Sequence, residues 1–121
     1  MSKLFVCKVN YIKSFEQVEK FLTEHRQYLK SGYDSSNLLV SGPCNPKDGG
    51  LIICRFDNMN SVIEFAKNDP FCINGVAVYE IIEFEPVLYA ECLSNFLNLW
   101  QLKKGDIMQS VDNKEIIEAS L

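Results

Sequence analysis

Apolar and polar positions along the chain follow two alternating periods, one typical of strands and one typical of helices. Four short runs are rich in β-branched and aromatic residues and have the pattern of strands. These runs cover residues 4–9, 37–43, 51–56 and 76–84. Turn-forming residues separate the second run from the third, which predicts a hairpin with an enlarged loop.

The segment between the first two strands carries a stripe of apolar positions at helical spacing. The stripe consists of Phe15, Val18, Phe21, Leu22, His25, Tyr28 and Leu29. Ser14 and Gln17 have the spacing of a capping box at its start, and Gly32 is typical of a helix end. We therefore expect one helix of about five turns in this segment.

A shorter helix is predicted between the third and fourth strands. Ser61 and Glu64 have capping-box spacing, and apolar residues follow at helical intervals. Pro70 disfavours helical backbone for the residue before it, so this helix is expected to end near residues 68–69. The order of elements is therefore βαββαβ.

This order predicts an α+β fold, the ferredoxin-like βαββαβ sandwich, with both helices on one face of an antiparallel sheet. The strands are apolar on both faces, whereas a sheet with one wet face alternates apolar and polar side chains. Ile53 and Val78 are therefore expected in the interior of a sheet that is covered on both sides. The simplest cover is a second copy related by two-fold symmetry, which predicts a homodimer.

Residues 87–121 are expected to form a C-terminal helical extension beyond a domain at residues 1–86. Apolar residues repeat there at helical spacing, at Leu88, Cys92, Leu93, Phe96, Leu97 and Trp100. Such a stripe needs a surface to pack on, either its own subunit or the partner. The alternative is a lid, or a docking surface for another protein.

Composition and charge exclude several classes of protein. There are 12 Lys and Arg against 16 Asp and Glu, and the densest basic feature is the pair Lys103-Lys104, so nucleic acid is not an expected partner. No apolar stretch has the length of a membrane span, and the N-terminus has no signal-peptide pattern, which predicts a cytoplasmic protein without a membrane partner. The 5 cysteines contain no CxxC pair and are expected to be reduced, and together with the single histidine they lack zinc-ligand spacing, so no metal is expected.

Three short motifs occur in order on this frame: His25 within residues 24–29, Ser41-Gly42-Pro43 at the end of the second strand, and Asp69-Pro70-Phe71 after the second helix. With Asn74-Gly75 before the last strand and Glu83-Phe84 near its end, the chain resembles the YciI-like (YCII-related) family over roughly residues 1–86. The resemblance implies a dimeric α/β barrel. It also implies an active site that contains the histidine and the aspartate, with the serine beside them.

The resemblance does not imply one reaction, because a related member is a dehalogenase that acts on a chlorinated hydroxymuconate and many others have no assigned reaction. The tail from Val87 to Leu121 departs from the compact family pattern.

His25 lies on the core-facing stripe, so burial is expected from periodicity alone. Histidine is the side chain that most readily exchanges protons near neutral pH, which makes it the natural general acid or base. Asp69 sits at a helix end, where a carboxylate is unfavourable unless a cation or donor compensates, and His25 can supply that partner. The alternatives are a structurally packed histidine and an aspartate that only stops the helix.

Substrate contacts are expected from the Ser41 hydroxyl and from Gly42 and Pro43, although turn chemistry explains the same three residues equally well. Tyr28 lies one turn beyond His25 and either lines the pocket or belongs to the core. Cys44 and Cys72 flank the motifs and allow a weaker hypothesis of a cysteine nucleophile.

The preferred interpretation is a small-molecule enzyme in which His25 and Asp69 transfer a proton on an oxygen-rich substrate, as in isomerase, lyase or dehalogenase chemistry. It requires no metal or organic cofactor. The alternative is a non-catalytic module that binds a small ligand or another protein.

Overall fold

The computed structural model describes residues 3–97 of the chain. Four antiparallel strands form one sheet in the order β2-β3-β1-β4, and helices connect them, which confirms the predicted fold class. The strands are β1 (Lys3–Tyr11), β2 (Leu38–Pro43), β3 (Gly49–Phe56) and β4 (Ala77–Phe84). The helices are α1 (Phe15–Glu19), α2 (Leu22–Asp34), α3 (Met59–Lys67) and α4 (Pro70–Ile73).

The hydrophobic core lies between the helices and one face of the sheet. Alternate residues of the central strand β1 point into it, and Phe5, Cys7 and Val9 are buried. The core also contains Val18, Leu29 and Val62 from the helices and Ile52, Cys54 and Ala77 from the neighbouring strands. The inward-facing side chains of the strands and the apolar stripes of the helices therefore form one apolar layer.

The prediction of a single long first helix is wrong in two respects. The helix is interrupted at Phe21, which has a non-helical backbone conformation (φ −112°, ψ 8°) and is the N-cap residue of α2. The second helix also continues past Gly32 and ends before Ser36, whose φ of 65° is left-handed. Gly32 has a packing role instead, since a Cβ there would lie 2.8 Å from the Leu38 side chain of β2.

The start of α3 also differs from the prediction, whereas its end agrees. Asn58, not Ser61, is the N-cap, and its side-chain oxygen accepts a hydrogen bond from the Ser61 backbone N–H at 2.9 Å. The helix ends at Lys67 with Asn68 as its C-cap, as Pro70 predicts. A new short helix, α4, then starts at Pro70.

The face of the sheet opposite the helices, which we call the open sheet face, carries apolar side chains on all four strands as well as Lys8 and Glu80, which pair in register. Strand pairing places Val6 opposite Ile53 and Ile82, and Ile53 opposite Val40, so an apolar row crosses all four strands. Ile82 is 51% exposed and Val78 is 46% exposed. Ile53 and Val78 both face away from the helices, so their expected burial requires a cover for the open sheet face and stays a prediction.

The described part of the tail packs on the sheet of the same chain. A single 3₁₀ turn at Glu91–Leu93 is followed by a hydrogen bond from Leu97 N to the Leu93 carbonyl at 3.0 Å. The Arg55 guanidinium lies 5.1 Å from the centre of the Phe96 ring and donates to the Phe96 carbonyl. The rest of the predicted helical extension, including Trp100, lies outside the described residues. Within residues 3–97, no helix combines the length and the apolar character of a membrane span.

Candidate active site

Asp69 is a fully buried carboxylate (0% exposed) at the junction of α3 and α4. One oxygen, Oδ1, accepts hydrogen bonds from the Phe71 backbone N–H at 2.9 Å and from His25 Nδ1 at 2.8 Å. The other oxygen, Oδ2, accepts from the Tyr79 hydroxyl. Three donors on three different elements therefore hold this one side chain.

The local sequence explains the position of Asp69. It is the N-cap of α4, with extended backbone (φ −67°, ψ 129°) and Pro70 at the first helical position. The sequence-based expectation of an unfavourable carboxylate at the end of the preceding helix is therefore wrong. Asn68 already closes α3, and Asp69 lies at the beginning of the next helix, where a carboxylate is favourable.

His25 lies in the first turn of α2 and is 9% exposed. Its ring stacks on the Phe71 ring, with 3.9 Å between centroids and 4° between planes. Because the facing Asp69 oxygen is an acceptor, Nδ1 carries the hydrogen of this pair. Within the described residues, no hydrogen-bond partner is found for Nε2 and no polar side-chain atom is both buried and unpaired, so Nε2 is not fully buried, and His25 lines the cavity described below.

Sequence reasoning missed Tyr79. This tyrosine lies on β4 in the same phase as Ala77 and Ile81, and so points toward the helices. Burial raises the pKa of its hydroxyl above the usual 10.0, and the negative charge of Asp69 raises it further. The sequence pattern could have indicated this residue, because a tyrosine on the core-facing side of a strand needs a buried hydrogen-bond acceptor for its hydroxyl.

A cavity of about 350 Å³ lies beside His25, between α2 and the β2–β3 end of the sheet. Its lining includes the predicted residues Ser41, Gly42 and Pro43, and it also includes Arg26 and Lys47. The Ser41 hydroxyl is 2.6 Å from that of Tyr33 and shares a hydrogen bond with it. The two cationic residues were not recognised from sequence, since each is a single charge in a polar segment.

Tyr28 does not line this cavity, although the helical spacing placed it one turn from His25. Its hydroxyl donates to the Phe65 carbonyl at 2.6 Å, and its ring stacks on the Phe65 ring. Burial raises the pKa of this hydroxyl to about 12. These contacts agree with the alternative interpretation, in which Tyr28 belongs to the core.

The two cysteines considered as nucleophiles also lie outside the cavity lining. Burial and the charge of Asp69 raise the pKa of the Cys72 thiol to about 11. A thiol with a raised pKa is a poor nucleophile at neutral pH. No cluster of three or more His, Cys, Asp or Glu side chains that could hold a metal ion is found between residues 3 and 97.

Comparisons with known proteins agree with this architecture. A family model described as the YCII-related domain matches residues 3–85. The fold is similar to that of a 5-chloro-2-hydroxyhydroquinone dehydrochlorinase from Burkholderia phenoliruptrix, solved in complex with 2,5-dihydroxybenzoquinone. The TM-score is 0.59 at 20% identity, and the match covers 68% of this chain and 93% of that one. No curated protein matches the sequence.

Proposed function

The chain belongs to the YCII-related domain family, and on that premise we propose that it is a small-molecule enzyme in which His25 transfers a proton. The observation that carries the proposal is the hydrogen bond of 2.8 Å between His25 Nδ1 and the buried carboxylate of Asp69. A base held through one ring nitrogen keeps the other nitrogen available to a substrate. The cavity that His25 lines has the volume of a small-ligand site.

The proposed roles follow from the contacts of each group. His25 Nε2 accepts a proton from the substrate and later returns it, while Asp69 fixes the tautomer and stabilises the imidazolium that forms. Tyr79 and the Phe71 N–H position Asp69, since the tyrosine donates to Oδ2 and the N–H donates to Oδ1. The stack on Phe71 fixes the plane of the imidazole.

The proposed substrate is a small, oxygen-rich organic molecule. In this proposal the Ser41 hydroxyl bonds an oxygen of the substrate and Gly42 and Pro43 form the adjacent wall, which is supported by the presence of all three residues in the cavity lining. The structural neighbour acts on a chlorinated hydroxyhydroquinone, which supports isomerase, lyase or dehalogenase-like chemistry for this site as well. Such acid–base chemistry is proposed without a metal or an organic cofactor.

We also propose that the protein is a cytoplasmic homodimer. The apolar row on the open sheet face supports a second copy as its cover, because a monomer would leave these side chains in water. A two-fold axis through this face would pair it with itself and close the assembly.

Exchange of carbon-bound hydrogen with D₂O tests the proton transfer. The compounds are 5-chloro-2-hydroxyhydroquinone, its unchlorinated parent and small 2-oxo acids, followed by ¹H NMR. The wild-type protein is expected to accelerate exchange on at least one of them. His25→Gln is expected to lower that rate by about 10²–10⁴-fold, the contribution of a positioned acid or base.

Lys30→Gln is the matched control, since Lys30 lies on the same helix but pairs with Asp34 at the surface. Its exchange rate should stay close to wild type. Exchange at the buffer rate for every compound, or full activity in His25→Gln, would contradict the proposal. Binding of these compounds without exchange would instead favour a non-catalytic ligand-binding module.

A further inference from the structure

The charged residues that line the cavity are of one sign. Arg26 follows His25 on α2, and Lys47 reaches the cavity from the loop between β2 and β3. Among the described lining residues there is no Asp or Glu. Asp69 does not balance these charges from inside the cavity, because it is buried behind His25 and held by its three donors.

The two cations are also free of ion pairs within residues 3–97. The salt bridges found in this part of the chain involve Lys3, Lys30 and His25, but neither Arg26 nor Lys47. The Lys47 ammonium lies 5.9 Å from the centre of the Phe15 ring. Two unpaired cations at one small cavity create a positive potential that favours an anionic ligand.

Aromatic rings form a continuous wall of the same cavity. The Phe15 and Tyr11 centroids are 6.3 Å apart, and the Tyr11 and Phe71 centroids are 5.9 Å apart with their planes at 90°. Phe71 in turn stacks on His25. The planes of Tyr11 and Phe15 differ by 41°, so a flat, conjugated molecule can stack on one of these rings while its edge contacts the other.

Arg26 acts electrostatically on this wall. Burial and the nearby Cys44 raise the pKa of the Tyr11 hydroxyl, and the positive charge of Arg26 opposes them by lowering it. The guanidinium is therefore close enough to influence an oxygen at the aromatic wall. An acid group bound there would meet the same positive charge.

From the cations and the aromatic wall together we infer that the cavity binds small planar acids, with the anionic group between Arg26 and Lys47 and the flat face against Tyr11 and Phe15. This substrate class rests on the proposed function, since it places the reacting part of the acid at His25. Positive charge at this position would also stabilise the enolate that forms when a proton leaves a neighbouring carbon.

A pair of probes that differ in charge but not in shape tests the inference. 2,5-Dihydroxybenzoate carries a carboxylate, and 2,5-dihydroxybenzamide replaces it with a neutral amide. Dissociation constants are measured by ¹H–¹⁵N NMR titration, which also locates the binding site. The wild-type protein is expected to bind the acid at least about tenfold more tightly, a ratio that corresponds to about 1.4 kcal/mol.

Charge-removing variants show whether Arg26 and Lys47 cause this preference. R26Q and K47Q are each expected to reduce the ratio several-fold, and the double variant is expected to abolish it. K67Q is the control, because Lys67 is an exposed lysine at the end of α3 outside the cavity lining. Both Arg26 and Lys47 are exposed, so their substitution leaves the core intact.

A second pair of probes tests the flat face. Benzoate should bind more tightly than cyclohexanecarboxylate, and Phe15→Leu should reduce that difference. Equal affinity for acid and amide, or a preference that survives the double variant, would overturn the inference. So would benzoate and cyclohexanecarboxylate binding equally well.

The results also separate this inference from the proposed function. His25→Gln should keep the preference for the acid while losing proton exchange. Selective acid binding without exchange in the wild-type protein would uphold the inference and contradict the enzyme. Exchange on neutral compounds, with equal affinity for the acid and the amide, would uphold the proposed enzyme and contradict the inference.

Discussion

Asp69 shows how one residue can serve both the fold and the proposed chemistry. Its carboxylate caps α4, accepts from a strand tyrosine and holds the imidazole of α2, so it links three elements with no exposure to water. A buried carboxylate is costly unless donors surround it. The same donors that compensate for this burial also orient His25.

Removal of this carboxylate is therefore expected to destabilise the protein. Asp69→Ala leaves the His25, Tyr79 and Phe71 donors without their acceptor and should lower the free energy of unfolding by about 3–5 kcal/mol. Urea denaturation measures this loss. Asp34→Asn removes an exposed carboxylate and should change stability by less than about 0.5 kcal/mol. Equal effects of the two substitutions would contradict the structural role of Asp69.

Tyr79 gives a prediction for alkaline pH. Burial and the charge of Asp69 raise the pKa of its hydroxyl above 10.0, so the folded protein holds this proton more tightly than the unfolded chain. The resulting stability is fully present below pH 10 and is lost as the pH rises above it, by up to about 1.4 kcal/mol per pH unit. Tyr79→Phe should reduce the slope of unfolding free energy against pH in this range. An unchanged slope would show that Tyr79 does not titrate differently in the two states.

The sequence predicted His25, Asp69 and the Ser41-Gly42-Pro43 segment of the cavity, but not Tyr79, Arg26 or Lys47. The family resemblance implied the pair of His25 and Asp69, and the apolar stripe around His25 and the proline after Asp69 are local patterns that agree with it. Tyr79, Arg26 and Lys47 join the site only through the pairing of strands and the path of a loop. Their positions depend on tertiary contacts, and the short-range periodicity of a sequence does not reveal such contacts.

At the scale of elements, periodicity predicted the packed faces of the helices more accurately than the residues at which the helices begin and end. The stripe from Val18 to Leu29 faces the core as expected, yet Phe15 at its start is 40% exposed and the helix is interrupted at Phe21. A stripe of apolar positions survives such a break because both pieces pack on the same sheet. The two capping boxes also differ: Ser14 caps α1 as predicted, whereas Ser61 lies three residues inside α3.

The cap of α3 can be tested directly. Asn58→Ala removes the side-chain oxygen that accepts from the Ser61 N–H, and should cost about 1 kcal/mol of unfolding free energy. Ser61→Ala keeps that bond and should cost less. Chemical denaturation of both variants measures the difference. A larger loss for Ser61→Ala would place the helix start at Ser61 instead.

At the scale of the whole molecule, the open sheet face connects the fold to the proposed dimer. Val78 is 46% exposed in the single chain, so Val78→Asp places a charge that water can solvate in a monomer but not in a covered interface. The variant should remain folded by circular dichroism and become monomeric by light scattering. A stable interface of this kind buries about 1,600 Å².

Ile73→Asp is the matched control for this experiment, because Ile73 is an exposed isoleucine on α4 rather than on the open sheet face. It should remain dimeric. A wild-type monomer at micromolar concentration would exclude the proposed dimer, and a Val78→Asp dimer would place its interface elsewhere.

The proposed proton transfer depends most on the state of the single histidine, and ¹⁵N NMR of its imidazole tests that state without overlap from other residues. The hydrogen bond to Asp69 predicts that neutral His25 carries its proton on Nδ1, and that 2,5-dihydroxybenzoate shifts the Nε2 resonance. In Asp69→Asn the preference for the Nδ1–H tautomer should weaken. An Nε2–H tautomer in the wild-type protein, or a tautomer that Asp69→Asn leaves unchanged, would contradict the account.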